Sequence, residues 1–134
     1  MRIQDKISEI NHYLSELESF IPNSFNEYET DIKLKAACER YYEKITQAIL
    51  DLIMLILKEK GYRIPEESKE ALEILCQEKI ITKELADKLK QAKGMRNVLA
   101  HQYGNIDDNL VFESITKELI KDTKRFIKSI KKKI

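Results

Sequence analysis

Ile49-Leu50-Asp51-Leu52-Ile53-Met54-Leu55-Ile56-Leu57 is the most apolar stretch of the chain, broken by a single carboxylate. It is about half the ~20 residues needed to span a bilayer, so it reads as a buried core helix with no membrane segment expected. Upstream, Leu34, Cys38, Tyr41, Ile45, Ala48, Leu52 and Ile56 recur at steps of three and four, the spacing of one inner helical stripe. From Ile49 onward the apolar surface widens to nearly the whole circumference. A helix buried on all sides belongs at the centre of a bundle. It is expected to start between Phe25 and Asp31 and to reach about Lys60, where Gly61 closes it in the usual C-terminal role.

The flanks supply its neighbours. Ile3, Ile7, Ile10, Leu14, Leu17 and Ile21 mark a first helix, stopped by Pro22-Asn23-Ser24 because proline cannot continue the hydrogen-bond ladder. Pro65-Glu66-Glu67 opens a short third helix with Leu72 and Leu75 inward. Thr82 is a candidate N-cap for a fourth, with Leu85, Leu89, Ala92 and Leu99 on one side and Gly104-Asn105 closing it. Asp107 and Asp108 cap a fifth, whose inner side carries Val111, Ile115, Leu119, Phe126 and Ile130. The expectation is an all-α fold: one domain over residues 1–134, a mostly antiparallel bundle of about five helices.

Composition agrees. With 3 Gly and 2 Pro in 134 residues there is little turn chemistry for an all-β fold. An apolar share of 43% excludes a disordered chain. Cys38 and Cys76 lie far apart, with no CxxC and no nearby His at ligand spacing, which argues against a disulfide scaffold or zinc site and for a reducing cytoplasm. The start, Met1-Arg2-Ile3-Gln4-Asp5-Lys6, opens an amphipathic pattern rather than a signal peptide.

A net charge of +1 excludes a uniformly basic polyanion binder but conceals an asymmetry. Lys121, Lys124, Arg125, Lys128, Lys131, Lys132 and Lys133 crowd the last helix against one Asp122. One reading is a solvated helix end complementing the dipole; the other is an electrostatic guide for a phosphate backbone.

Chemistry concentrates in Met95-Arg96-Asn97-Val98-Leu99-Ala100-His101-Gln102-Tyr103. Asn97 and His101 are four apart on one helical face, so the amide can orient the imidazole. Arg96 and His101, five apart, diverge by ~140°. One helix therefore does not aim both at one atom. Either it loosens before Gly104, or a second copy of the chain completes the site across a two-fold axis. Arginine offers a rigid fork for phosphate oxygens, and histidine exchanges a proton near neutral pH. RNA brings its own nucleophile, the 2′-hydroxyl, so RNA is favoured over DNA and no metal or cofactor is required. The spacing alone also suits a histidine that merely caps helix-end carbonyls.

The order Arg96-Asn97-x-x-x-His101-x-Tyr103 resembles the signature of HEPN-domain ribonuclease toxins. More closely, the chain resembles the HepT-like branch, the toxin half of a type VII-like HEPN–MNT toxin–antitoxin pair. Ala37-x-x-Arg40, Ile45, Gln47-Ala48 and Asp51 on the long helix share in this resemblance, as do Gly61 with the Pro65 turn, Leu75 with Ile80-Ile81, and Asn105-Ile106-Asp107. Met95 stands where an aromatic is expected, a departure that touches packing more than chemistry.

The resemblance implies a homodimeric, metal-independent endoribonuclease. Arg96 would hold the scissile phosphate, His101 would act as general acid/base, and Asn97 would support them. Cleavage would leave a 2′,3′-cyclic phosphate. Tyr103 would be adenylylated by a minimal nucleotidyltransferase antitoxin, and the added charge and bulk would keep RNA out. A different class of function uses the same bundle without catalysis, to bind a nucleotide or a partner protein.

Smaller expectations attach to other residues. Asp51, read as a buried carboxylate, needs an Arg, a Lys or a helix end as partner. Arg40 is one candidate for it, or else adds positive charge to a dimer cleft. Tyr41 and Tyr42 are adjacent, so at most one faces the core squarely. His12 is expected at the surface.

Overall fold

A computed structural model describes residues 2–101 and 106–134. The elements are α1 (Ile3–Phe20), α2 (Phe25–Thr30), α3 (Ile32–Lys60), α4 (Ser68–Gln77), α5 (Lys83–His101), α6 (Asp108–Glu113), a π-helical turn (Ser114–Leu119) and α7 (Ile120–Lys133). Among the described residues there is no strand, so the all-α expectation holds.

Local chemistry sets most boundaries. Gly61 closes α3 in the left-handed region at φ 73°, its N–H donating to the carbonyls of Leu57 and Lys58. Thr82 caps α5, its hydroxyl accepting from Leu85 N–H at 3.1 Å. Asp107 caps α6 by accepting from the N–H groups of Asn109 and Leu110. The predicted closure of α5 at Gly104-Asn105 lies outside the described residues.

Three local features depart from expectation. Pro65-Glu66-Glu67 does not open the short helix but precedes it, since α4 begins only at Ser68 with Glu67 extended at its N-cap. The long second helix is broken into α2 and α3 at Asp31, whose extended backbone ends one helix while its carboxylate caps the next by accepting from Leu34 N–H at 3.1 Å. An exposed Asp competes well with the helical backbone, which is how it serves as both stop and start. The last helix carries the π-turn. Val111, Ile115 and Leu119 are all buried at steps of four, and a wider turn lets positions four apart drift less around the axis.

Tyr42, not Tyr41, takes the core position. Tyr42 is 1% exposed, and its hydroxyl pairs with Ser114 Oγ at 2.9 Å, at the start of the π-turn. Burial pushes this phenol up to about 12. Tyr41 turns to α1, edge-on to Phe20 at 5.2 Å and Tyr13 at 6.3 Å between centroids. Removing one partner of a buried hydrogen bond leaves the other unsatisfied. Ser114→Ala should therefore cost about 1–3 kcal/mol in urea denaturation; a change near zero would show that water reaches Tyr42.

The helix directions follow from contacts. Along α1, Phe20 and Tyr13 meet Tyr41 while Lys6 meets Asp51, so α1 runs antiparallel to α3. Glu84 meets Arg125 and Lys88 meets Glu118, so α5 runs antiparallel to the last rod. That rod instead lies parallel to α3, pairing Lys35 with Asp108 and Tyr42 with Ser114. As expected, α3 is the hub: it touches α1, α2, α4, α5 and the π-turn. Its fully buried Ile45, Leu52, Ile56 and Leu57 sit in one apolar cluster to which every helix contributes.

Both thiols are free, Cys38 buried and Cys76 half-buried. Burial pushes the Cys38 thiol up to about 11, which makes it a core residue and a poor nucleophile.

Candidate functional site

Arg96 and His101 both ride on α5, which stays helical through His101. A helix that loosens between them is therefore not what the described residues adopt. Arg96 is half-buried and turns toward α3, donating from Nη1 to Gln47 Oε1 at 2.8 Å. His101 is exposed, and so is Asn97. Among the described residues no hydrogen bond joins Asn97 to His101, so the expected orienting contact is not formed. On this intact helix Arg96 and His101, five residues apart, diverge by ~140° around the axis. Tyr103 lies outside the described residues. Met95, in place of an aromatic, packs partly buried against the core.

Gln47 is the residue that motif reading undervalued. Its carbonyl holds Arg96, and its NH₂ donates to Asp51 Oδ1 at 2.9 Å. Asp51 Oδ2 in turn lies 3.7 Å from Lys6 Nζ, which also meets Glu9 at 3.2 Å. The carboxylate thereby orients the amide: with NH₂ committed to Asp51, only the carbonyl is left to face the guanidinium. Asp51 does have a lysine partner, as expected, but it is not buried. It is exposed at the surface of α3, because the apolar surface of that helix leaves one narrow polar line, Gln47 to Asp51, four residues apart. Arg40 is not its partner among the described residues.

These groups border a hollow of about 310 Å³ between α1, α3 and α5, with Tyr13, Arg40, Lys44 and Arg96 on its walls. Lys44 Nζ sits 4.4 Å from the Tyr13 ring centre and 4.7 Å from that of Tyr41, a double cation–π contact that fixes its stem. Glu9, Glu43 and Asp51 also border the hollow, and Lys6 engages two of those three carboxylates. Arg96 Nε is buried without a partner among the described residues. Its guanidinium is thus held by a neutral amide, and among the described residues no carboxylate forms an ion pair with it. Such a group suits an anion whose charge develops during a reaction. Among the described residues no cluster of three or more His, Cys, Asp or Glu has the makings of a metal site. His12 is at the surface, beside Glu16 at 3.4 Å.

Comparison with known proteins identifies the family to which this fold belongs. The profile of the family described as Ribonuclease HepT-like matches residues 10–130. The tRNA nuclease HepT of Aphanizomenon flos-aquae is 32% identical over 114 residues, covering 85% of this chain and 78% of that protein. The mRNA nuclease HepT of Shewanella oneidensis is 25% identical over 129 residues, covering 96% of each. Among solved structures, the tri-AMPylated Shewanella oneidensis HEPN toxin in complex with MNT antitoxin superposes with a TM-score of 0.88 at 24% identity, over 97% of this chain and 96% of that one. That likeness speaks to the fold. Family match and relatives together place the sequence: this chain belongs to the HepT-like ribonuclease family.

Proposed function

We propose that this protein is the toxin of a HEPN–MNT toxin–antitoxin pair and cuts RNA without a metal, at a cleft formed by two copies of the chain. The observation that carries the reading is the Arg96 guanidinium, held by the Gln47 amide at 2.8 Å on the wall of an open hollow. The named activities of the relatives, tRNA and mRNA nucleases, supply the substrate class. Arg96 binds the scissile phosphate. His101 accepts the proton of the 2′-hydroxyl as its oxygen attacks phosphorus; the P–O5′ bond breaks, and the 5′ oxygen leaves with a proton drawn from water. The products are a 2′,3′-cyclic phosphate and a 5′-hydroxyl, and atoms and charge balance with no cofactor. Asn97 supports the pair from the same exposed face of α5.

Divergence of Arg96 and His101 around α5 is the reason for two copies. Both motif copies line that one cleft, where Arg96 of one chain works with His101 of the other. The reading treats residues 1–134 as one domain, in keeping with a single apolar cluster that draws on every helix. It places the protein in the cytoplasm, and no described helix is long and apolar enough to cross a membrane. Tyr103 is the site at which the nucleotidyltransferase antitoxin attaches adenylyl groups, in line with the tri-AMPylated toxin of similar fold. Each added phosphate puts negative charge where RNA must bind.

The test is RNA cleavage in EDTA by the purified chain, its intact mass first checked for adenylylation. Cutting that persists in EDTA, leaves cyclic phosphate ends and disappears in His101→Ala is the expected result. An unmodified dimer that cuts nothing in mixed cellular RNA would overturn it and favour a binding module.

A further inference from the structure

The lysine-rich end of the last helix acquires a neighbour in the fold. Lys132 and Lys133 of α7 line a groove of about 490 Å³ together with Lys79 from the α4–α5 connection and Lys83 at the start of α5. Ser129 and Thr82 complete its polar walls, and among the described residues no carboxylate lines it. Three acids close by in sequence are already engaged, while Glu78 beside Lys79 is exposed. Arg125 holds Glu84 at two points, 2.6 and 3.2 Å, and reaches Asp122 at 3.3 Å, while Asp87 pairs with Lys83 at 3.0 Å. The Arg125 fork also ties the first turn of α5 to α7, so the meeting of the four lysines is built into the packing.

Lys79 adds a second observation. It has φ 60°, the left-handed conformation that favours glycine, and its backbone N–H and that of Ile80 close the end of α4 onto Cys76 and Leu75. Glycine fits this turn with less strain, and lysine there sets an ammonium on the groove wall.

We propose that this groove is a second RNA-binding site, recognising the phosphate backbone away from the cleft; the proposal rests on the ribonuclease reading above. Lysines on flexible stems suit phosphates as point charges. A protein partner would want an apolar centre to bury, and the apolar side chains here, Ile80 and Ile81, are already covered at 6% and 4% exposure. Lys83 and Arg96 are separated by about 20 Å along α5 at 1.5 Å per residue. A long RNA reaches both sites, and a very short one occupies only the cleft.

The experiment compares the natural chain with the triple variant Lys79→Gly, Lys132→Gln, Lys133→Gln. Binding is read by anisotropy in a His101→Ala background, with labelled single-stranded RNA of about 20 nucleotides. The triple variant should bind about tenfold or more weakly, and its log–log salt slope should fall by about 2, since each single-strand phosphate contact contributes ~0.7. Lys79→Gly alone should weaken binding with Tm unchanged or raised, which separates the groove from folding. With His101 intact, the triple variant should cut an RNA of about four nucleotides normally, and on the long RNA its KM should rise with kcat held. Wild-type affinity and salt slope in the triple variant would overturn the groove. So would loss of antitoxin binding with RNA binding intact, which would assign the groove to an acidic protein. If the natural chain cuts neither RNA, the ribonuclease reading fails, and the anisotropy still decides the groove.

Discussion

Arg96→Ala and His101→Ala chains, each nearly inactive alone, should recover about a quarter of the natural cleavage rate when refolded together at equal ratio. On the proposed mechanism, loss of the arginine would remove charge stabilisation of the phosphorane, and loss of the histidine would remove the proton acceptor. Each substitution should lower cleavage by about 10²–10⁴-fold. Both side chains lie on α5, with Arg96 drawn to Gln47 of α3 and His101 exposed. In a cleft built from two chains, a mixed dimer retains one complete Arg–His pair out of two. Random pairing makes half of the dimers mixed, hence the quarter. Complete absence of recovery, with mixed dimers demonstrated by mass, would place both groups in one chain and remove the argument for a shared cleft.

Gln47→Glu should lower kcat by about 10²-fold, the scale on which a single preorganised electrostatic contact acts. Size and reach are preserved, and only charge changes. A carboxylate 2.8 Å from Arg96 Nη1 would neutralise the guanidinium meant for phosphate, and would set like charge beside Asp51 four residues on. The ion pair is partly open to solvent, so its net effect on stability is small. The signature is therefore a fall in kcat with Tm shifted by little, and with mass and dimerisation unchanged. Gln47→Ala, which leaves Arg96 charged but loosely held, should lose less. If Gln47→Glu cuts RNA normally, Gln47 braces α5 against α3 and has no positioning role.

Sequence by itself determined the elements whose signals are local. Apolar steps of three and four marked the inner faces of α1 and α3, since a helix repeats every 3.6 residues whatever surrounds it. Pro22, Gly61, Thr82 and Asp107 marked ends, since a missing N–H, a left-handed φ or a capping oxygen acts within a few residues. That Arg96 and His101 ride on one helix and diverge around its axis was legible as spacing. Only the tertiary structure decided which neighbours those faces meet. Tyr42 displaced Tyr41 from the core because the π-turn presents Ser114 to it. Asp51, set in the most apolar run, emerged at the surface because α1 and α5 leave its line of α3 open, with Gln47 on the same line to receive Arg96. Lys79 and Lys133 share a groove because the Arg125–Glu84 fork joins α5 to α7. Such contacts depend on how helices distant in sequence lie against one another, and helical period and capping chemistry carry no information about that.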